Sequence, residues 1–471
     1  MNIRKAALIN AVGKYAKIFL TVIVTAILAR ILSASDYGIV AVITVFSTFF
    51  TTLSDMGFGP AIIQNKDLTD SDIDNIYSFT VYISVILMIL FSLFSILIAM
   101  FYDNNVYIPL GQLLSISLLF NALNMVPNGI LNRDKKFISI AVRTVVVYVG
   151  SAIITVILAF MGWRYYALAV QAILSALFTF IWNYATTKPK FHFKFNMLSI
   201  KKVLNYSGYQ FAFNMVNYFS RNLDNLLTGK FLGNAELGYY NKSYELMLYP
   251  VNNLTGVISP VLHPILSDYQ NHLDVIYKKY MKVLKLLACI GLFVSPFCIL
   301  ASREIITILY GNNWNSSVIC FQILAIAIIP QMINGSVGSI FQAIGNTRLL
   351  FINSCINTCI TVTAILIGVI GGKSIISLSY CVAIAYLCHF VTAFSMLIKM
   401  GFHYKIIDFI KELIPDIVIL VVMILAVLLY PLSISNVLVS AFAKGIYLGV
   451  VYSIVLVLTK EYKVYFMIFK R

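Results

Sequence analysis

Residues 76–101 read IYSFTVYISVILMILFSLFSILIAMF, an apolar run without one charged side chain. As an α-helix it is long enough to cross a hydrocarbon core of about 30 Å, and a helix satisfies its own backbone hydrogen bonds there. The run predicts a membrane-spanning helix, and it is not alone. Working outward, apolar runs fall at 10–32, 37–58, 107–131, 138–161 and 165–187, then at 207–231, 244–266, 281–302, 318–344, 350–371 and 375–398, and finally at 414–434 and 437–459. With 76–101 these make about fourteen spans, so the fold class expected is all-α and polytopic. Composition agrees: 60% of the 471 residues are hydrophobic and 11% charged, against about 25% charged in soluble domains.

The net charge of +16 would suggest nucleic acid as a partner in a soluble chain. Here the bases sit in short connections between apolar runs, so the expected partner is the lipid bilayer and not nucleic acid. With the N-terminus placed inside, the inner connections hold Arg133, Lys135 and Lys136, then Lys188, Lys190, Lys194, Lys201 and Lys202, then Lys278, Lys279 and Lys282, and then Lys399, Lys405 and Lys411. The outer connections hold only Arg164, Lys242, Arg303 and Lys373. Excess Lys and Arg marks the cytoplasmic side, so both termini are expected inside. A missed or invented span would invert the sign of every later loop. The connection 188–206 mixes its lysines with Phe191, Phe193 and Phe195, a composition suited to lying on an anionic leaflet. The first run keeps Lys14 and Lys17 within it and reads as a retained span, not a cleaved leader.

A displacement of 200 residues lays Arg30–Gly38 over Lys230–Gly238, with a base, a Leu, an acid and a Gly in the same order. Pro60 falls on Pro260, and Asn10, Lys14, Lys17 and Thr21 fall on Gln210, Asn214, Asn217 and Arg221. Near a displacement of 210, Gln112-Leu113-Leu114 meets Gln322-Ile323-Leu324 and Asn124 meets Asn334. Two such matches suggest a duplicated six-helix unit, with lobes at 1–200 and 201–400 and two added helices in 401–471. Parallel repeats place a transporter's site between the halves.

Polar residues inside spans are costly and by default face a cavity or a partner. Gln210, Asn214, Asn217, Arg221 and Asn225 recur at spacings of three and four and share one helix face, with Asp224 a turn from Arg221. Asn10, Lys14, Lys17 and Thr21 form the repeat-equivalent stripe. The two stripes suggest walls of a water-filled cavity in which Lys14, Lys17 and Arg221 neutralise a diphosphate, Arg offering a fork that matches phosphate oxygens. The alternative is that the lysines snorkel to the interface and that Arg221 and Asp224 are a structural ion pair. Arg143 is a second cavity candidate. Asp55 either lines the cavity or couples a cation, or sits at the inner interface. Arg30 and Lys230 lie six residues before Asp36 and Glu236, a pattern that suits a base–acid staple across a tight turn made with Gly38 and Gly238. Asn252, Asn253, Thr255 and Ser259 suit a sugar-facing surface on a helix kinked by Pro250, Pro260 and Pro264. His263 and His389 read as helix-packing groups, and the seven cysteines as small apolar residues.

No catalytic motif, phosphate loop or metal-ligand cluster appears, so neither enzyme activity nor a cofactor is expected. Without a nucleotide site, transport would be driven by an ion gradient (H+ or Na+), the membrane potential or downstream consumption.

Several stretches carry a family likeness. They are Leu28-Ala29-Arg30-Ile31-Leu32 leading to Asp36-Tyr37-Gly38, Ser54-Asp55-Met56-Gly57-Phe58-Gly59-Pro60 through Gln64, and Arg221-Asn222-Leu223-Asp224-Asn225 through Leu237-Gly238-Tyr239-Tyr240-Asn241-Lys242. Phe321-Gln322-Ile323-Leu324-Ala325 and Phe341-Gln342-Ala343-Ile344-Gly345-Asn346-Thr347-Arg348 complete the set. Over about 1–400 the chain resembles the polysaccharide transporter branch of the multidrug/oligosaccharidyl-lipid/polysaccharide exporter superfamily. The resemblance implies two six-helix lobes in a V shape, alternating access, and a bacterial inner-membrane location. It also implies an undecaprenyl-diphosphate-linked glycan as substrate, handed to polysaccharide assembly proteins. A multidrug/cation antiporter of the same fold is the alternative, but it would favour an acidic, aromatic cavity where these stripes are basic and amide-rich. A glycan polymerase or ligase would need a sizeable outer loop, and none is predicted.

Overall fold

The computed structural model describes residues 3–55, 58–65, 67–197, 199–200, 208–432 and 434–463; the side chains of residues 3–11, 55, 60, 64, 208–217, 254 and 256–261 lie outside the description. The long helical segments follow one another as α1 (Ile3–Ile31), α2 (Ala34–Asp55), α3 (Asp70–Tyr102), α4 (Tyr107–Arg133), α5 (Phe137–Phe160), α6 (Tyr165–Thr187), α7 (Gly208–Phe231) and α8 (Asn234–Ser267). Then come α9 (Leu273–Leu300), α10 (Asn312–Ala343), α11 (Thr347–Gly371), α12 (Ile375–Gly401), α13 (Ile414–Leu428) and α14 (Val437–Thr459), with short helices at Phe58–Gln64, Ser302–Tyr310 and Ile406–Glu412. No strand occurs among the described residues. Among the described residues, eleven helices are long and apolar enough to cross a membrane. The shorter α13 is also apolar, while α7 and α8 have the length but carry many polar residues. This order accommodates the fourteen expected spans, and the protein is a multi-pass membrane protein.

Local sequence sets the helix ends. Before α2, the Ser33 hydroxyl accepts from the Asp36 amide at 3.2 Å while the Asp36 carboxylate accepts from the Ser33 amide at 3.0 Å. Thr69 and Asp72 repeat this reciprocal cap before α3, satisfying donors that a helix start leaves free. Between α7 and α8 the chain reverses at Gly233, whose φ of +92° suits glycine. The Leu232 and Gly233 amides both donate to the Thr228 carbonyl, at 2.9 and 3.1 Å, closing the end of α7.

The chain forms two compact units, Met1–Gly238 and Tyr239–Arg471. In the first, α2, α3, α4 and α6 share a core around Ile43, Phe91, Ile98, Tyr107, Leu110 and Leu118. Small residues bring these helices close, as they must where lipid offers no hydrophobic gain on association. A Cβ on Gly111 would lie 2.4 Å from the Ser95 Cβ, and one on Gly13 of α1 would lie 2.9 Å from the Ala141 Cβ of α5.

The tightest approach is reciprocal. A Cβ on Gly38 would lie 1.8 Å from the Asn234 carbonyl oxygen, and one on Gly238 would lie 1.9 Å from that of Ala34. Both glycines are helical, within the first turns of α2 and α8. They therefore allow a backbone-on-backbone crossing and do not form a turn. The same contact is made twice, between positions related by the sequence repeat. Asp36 caps with Ser33 and also accepts from Arg164 at 3.1 Å, while Lys230 reaches Asp103 at 2.8 Å. The acid and base of the expected staple are thus engaged by other elements.

The second unit is built on α9. One core joins Tyr280, Leu284, Ile340, Phe341 and Phe394; another seats Ile419 and Met423 of α13 and Leu448 and Tyr452 of α14 against Cys289 and Leu292. Two part-buried ion pairs fasten α14. Glu304 accepts from Lys444 at 2.6 Å and from Ser440 at 2.7 Å, and Lys285 reaches Glu461 at 2.8 Å. The described helices beyond 400 pack within this unit.

Candidate functional site

α7 is held from Tyr218 onward by α2 and α3. Tyr218 donates to the Val45 carbonyl at 2.6 Å, Phe219 lies 4.7 Å from Phe49 between ring centroids, and Tyr102 donates to the Leu226 carbonyl at 3.0 Å. Gly229 admits Val42, whose Cγ2 would stand 2.8 Å from an added Cβ. These contacts fix the rotation of α7 about its axis. Arg221 is exposed and Asp224 buried at 4% exposure. The Asp224 carboxylate accepts from the Asn225 amide at 2.8 Å. Arg221 forms no ion pair with a described residue, so an Arg221–Asp224 salt bridge is not part of this arrangement.

On α1, the contact of Gly13 with Ala141 turns the helix so that Lys14 and Lys17 are exposed. Thr21, two turns from Lys14, is spent on the Lys17 carbonyl at 2.8 Å. Three cations of the two stripes therefore stand on uncovered helix faces. The side chains of Asn214, Asn217 and Asp55 lie outside the described residues.

Arg143 has a different setting. It is 8% exposed, and its guanidinium donates to the Asn128 side-chain oxygen at 3.2 Å and to that of Asn183 at 2.5 Å. Asn183 in turn donates to the Asn124 side chain at 2.6 Å. Amides from α4 and α6 thus solvate a charge carried by α5, and the Arg143 Nε has no partner among the described residues. Sequence reasoning named Arg143 and noted Asn124 but missed Asn128 and Asn183. A single Asn in the otherwise apolar and aromatic stretch FTFIWNY (178–184) was the signal available.

Chemically, guanidinium and ammonium groups on open helix faces can neutralise a phosphate or diphosphate. Facing acyl chains they would be unfavourable by at least about 2.5–3.5 kcal/mol each at the bilayer centre, which favours a wet setting or the interface. Among the described residues no cluster of three or more His, Cys, Asp or Glu side chains could hold a metal.

Comparison with known proteins places this architecture. A family model described as polysaccharide biosynthesis protein matches residues 27–319. The chain is 26% identical over 307 residues to the teichuronic acid biosynthesis protein TuaB of Bacillus subtilis, covering 65% of this chain and 64% of that protein. It is 24% identical over 355 residues to the lipopolysaccharide biosynthesis protein WzxC of Escherichia coli, covering 73% and 70%. The succinoglycan biosynthesis transport protein ExoT of Rhizobium meliloti matches at 21% identity over 78% of this chain and 74% of its own length. Among solved structures, the lipid II flippase MurJ in an inward closed conformation superposes with a TM-score of 0.73 at 16% identity, over 96% of this chain and 99% of that one. An inward-facing multidrug resistance transporter of the MATE family gives 0.65 at 14% identity, over 81% and 93%. These two likenesses establish the fold.

Proposed function

The chain belongs to the polysaccharide biosynthesis protein family, and from that premise we propose that it is a flippase, not an enzyme. It moves undecaprenyl-diphosphate-linked oligosaccharide units across the bacterial inner membrane by alternating access, for assembly into a cell-surface polysaccharide. The lobes are the repeats at 1–200 and 201–400, with 401–471 appended and both termini cytoplasmic. The diphosphate is met by Arg221, Lys14 and Lys17. Asn214 and Asn217 meet the sugars, Asp224 fixes the α7 backbone beside Arg221, and Asp55 takes part in binding or cation coupling. Arg143, held by amides, shapes the inner part of the first lobe. The cycle is driven by an ion gradient (H+ or Na+), by the membrane potential or by consumption of the product by polysaccharide assembly proteins.

One observation carries this reading: Arg221 is an exposed cation, without a carboxylate partner among the described residues, on the 24-residue helix α7. A positive site fits an anionic diphosphate and disfavours the multidrug/cation antiporter alternative, whose cationic cargo it would repel. The names of the relatives, from teichuronic acid to lipopolysaccharide and succinoglycan biosynthesis, point to glycan export. The test is complementation of a strain lacking its own flippase. Arg221→Ala should abolish surface glycan while protein level and membrane insertion stay normal, and Arg221→Lys should retain part of the activity. Wild-type glycan in the alanine variant would remove Arg221 from the mechanism.

A further inference from the structure

The connection after α6 is not a loose linker. Its residues 188–196 are non-helical, yet they are stitched to the first turns of α3. The Lys190 amide donates to Asp74 at 2.8 Å, the His192 amide to the Ser78 hydroxyl at 2.8 Å, and the Asn196 amide to the Asn75 side chain at 2.9 Å. Ser199 donates to Asp72 at 2.7 Å, and Tyr82 donates to the Phe193 carbonyl at 3.0 Å. The strap therefore climbs α3 from Asp74 to Tyr82 and returns to Asp72.

Depth follows from helix length. α3 has 33 residues, about 50 Å at 1.5 Å per residue, against a hydrocarbon core of about 30 Å. Tyr82 stands 20 residues before Tyr102, which is about 30 Å along the axis. With Tyr102 taken as the far boundary of the core, the stretch from Asp70 to Tyr82 would project into the headgroup layer, and the crest of the strap would stand where hydrocarbon begins. The side chains sort accordingly. Phe193 is 83% exposed and Met197 53%, Phe191 packs on both Phe193 and Tyr82, and Phe195 turns inward against Phe79. Lys188, Lys190 and Lys194 are exposed and make no ion pair with a described residue. Of the acids in the first turns of α3, Asp72 and Asp74 are occupied by the strap itself, Asp74 lying also 3.9 Å from the His192 Nε2, and Asp70 is exposed.

We propose that this strap is a binding surface for anionic phospholipid: Phe193 inserts at the hydrocarbon boundary and Lys188, Lys190 and Lys194 gather phosphate headgroups around it. Backbone amides, the Phe193 carbonyl and the Ser199 hydroxyl make the attachment to α3, so no lysine side chain is spent on it. Aromatic residues at the interface and lysines beside an anionic leaflet are the two recognised anchors of such a surface. The surface is independent of the transport reading and would stand if that reading failed.

The test uses the full-length protein carrying F193W in liposomes of phosphatidylcholine with phosphatidylglycerol, measuring the emission of the introduced indole as the difference from the parent protein. Quenching by brominated phosphatidylglycerol should exceed that by brominated phosphatidylcholine several-fold at low salt. Each lysine changed to Gln should remove part of that preference, and the K188Q/K190Q/K194Q triple should bring it close to unity. Added salt should do the same to the parent. Equal quenching by both lipids, or full accessibility of the introduced indole to aqueous iodide, would overturn the proposal. The near-UV spectrum and thermal melting of the triple variant verify that the strap remains docked.

Discussion

The reciprocal crossing of α2 and α8 makes Gly38→Ala and Gly238→Ala decisive substitutions. In an ordinary helix interior, Gly→Ala stabilises by up to about 1 kcal/mol because alanine orders more readily. Here the new methyl would sit 1.8 Å from the Asn234 carbonyl oxygen, or 1.9 Å from that of Ala34. Ordinary contact begins near 3.4 Å, so the helices must part by about 1.5 Å, and the obstacle is backbone, which cannot swing aside. Overpacking of this kind costs typically about 1–3 kcal/mol. Each variant should therefore be destabilised by about 2 kcal/mol, or melt about 4–8 °C lower by soluble-domain scaling. Because both clashes are relieved by the same separation, the double variant should lose clearly less than the sum of the two. Gly150→Ala is the control: it is also helical, and nothing lies within 4 Å of its added Cβ. It should be neutral or stabilising. The assay is thermal melting of purified protein in one detergent, followed by binding of a conformation-sensitive dye. If Gly38→Ala and Gly238→Ala melt with Gly150→Ala, the helices are not in backbone contact and the argument fails.

Two further outcomes follow from buried charge. Asn183→Leu removes the closest acceptor of the Arg143 guanidinium and should destabilise by about 1.5–3 kcal/mol. Arg143→Met, which withdraws the charge altogether, should be milder; melting curves that rank them in the opposite order would refute a structural role for the amide cage. At Glu304, outside the spans, burial opposes the charge, but hydrogen bonds from Lys444 and Ser440 outweigh it and hold the carboxyl below its ordinary value. With the folded value depressed, its stabilisation is complete above the unfolded carboxylate value of about 4.3 and fades as pH falls through the lower folded value. Melting temperature should thus drop below about pH 4, and Glu304→Gln should flatten that acid limb; an unchanged limb in the variant would exclude Glu304 as its source.

The spanning helices were legible because a long uncharged run has one stable solution in lipid. Their starts were not: α3 begins at Asp70 and α8 at Asn234, ahead of the apolar runs at 76 and 244, because caps and polar helical turns carry the chain beyond the hydrocarbon. The 200-residue displacement picked out Gly38 and Gly238 together. It did not reveal their use, since a glycine needed for a turn and one needed for a close approach look alike in sequence. Within the candidate site, Lys14, Lys17 and Arg221 are exposed. Arg143 was singled out for its cost in lipid, but Asn128 and Asn183 belong to other helices. Which faces of separate helices meet is decided by packing, on which residue spacing along one helix carries no information.

The fastening of α14 has a practical corollary. Near one end it is tied through Lys444 to Glu304, and just past the other, through Glu461, to Lys285 of α9. A rod secured at two points so far apart cannot roll or slide on its support. A fluorophore on the uncovered flank of α14, at Phe442 or Val450 for example, would therefore report the displacement of α9 itself, with no contribution from wobble of the labelled helix.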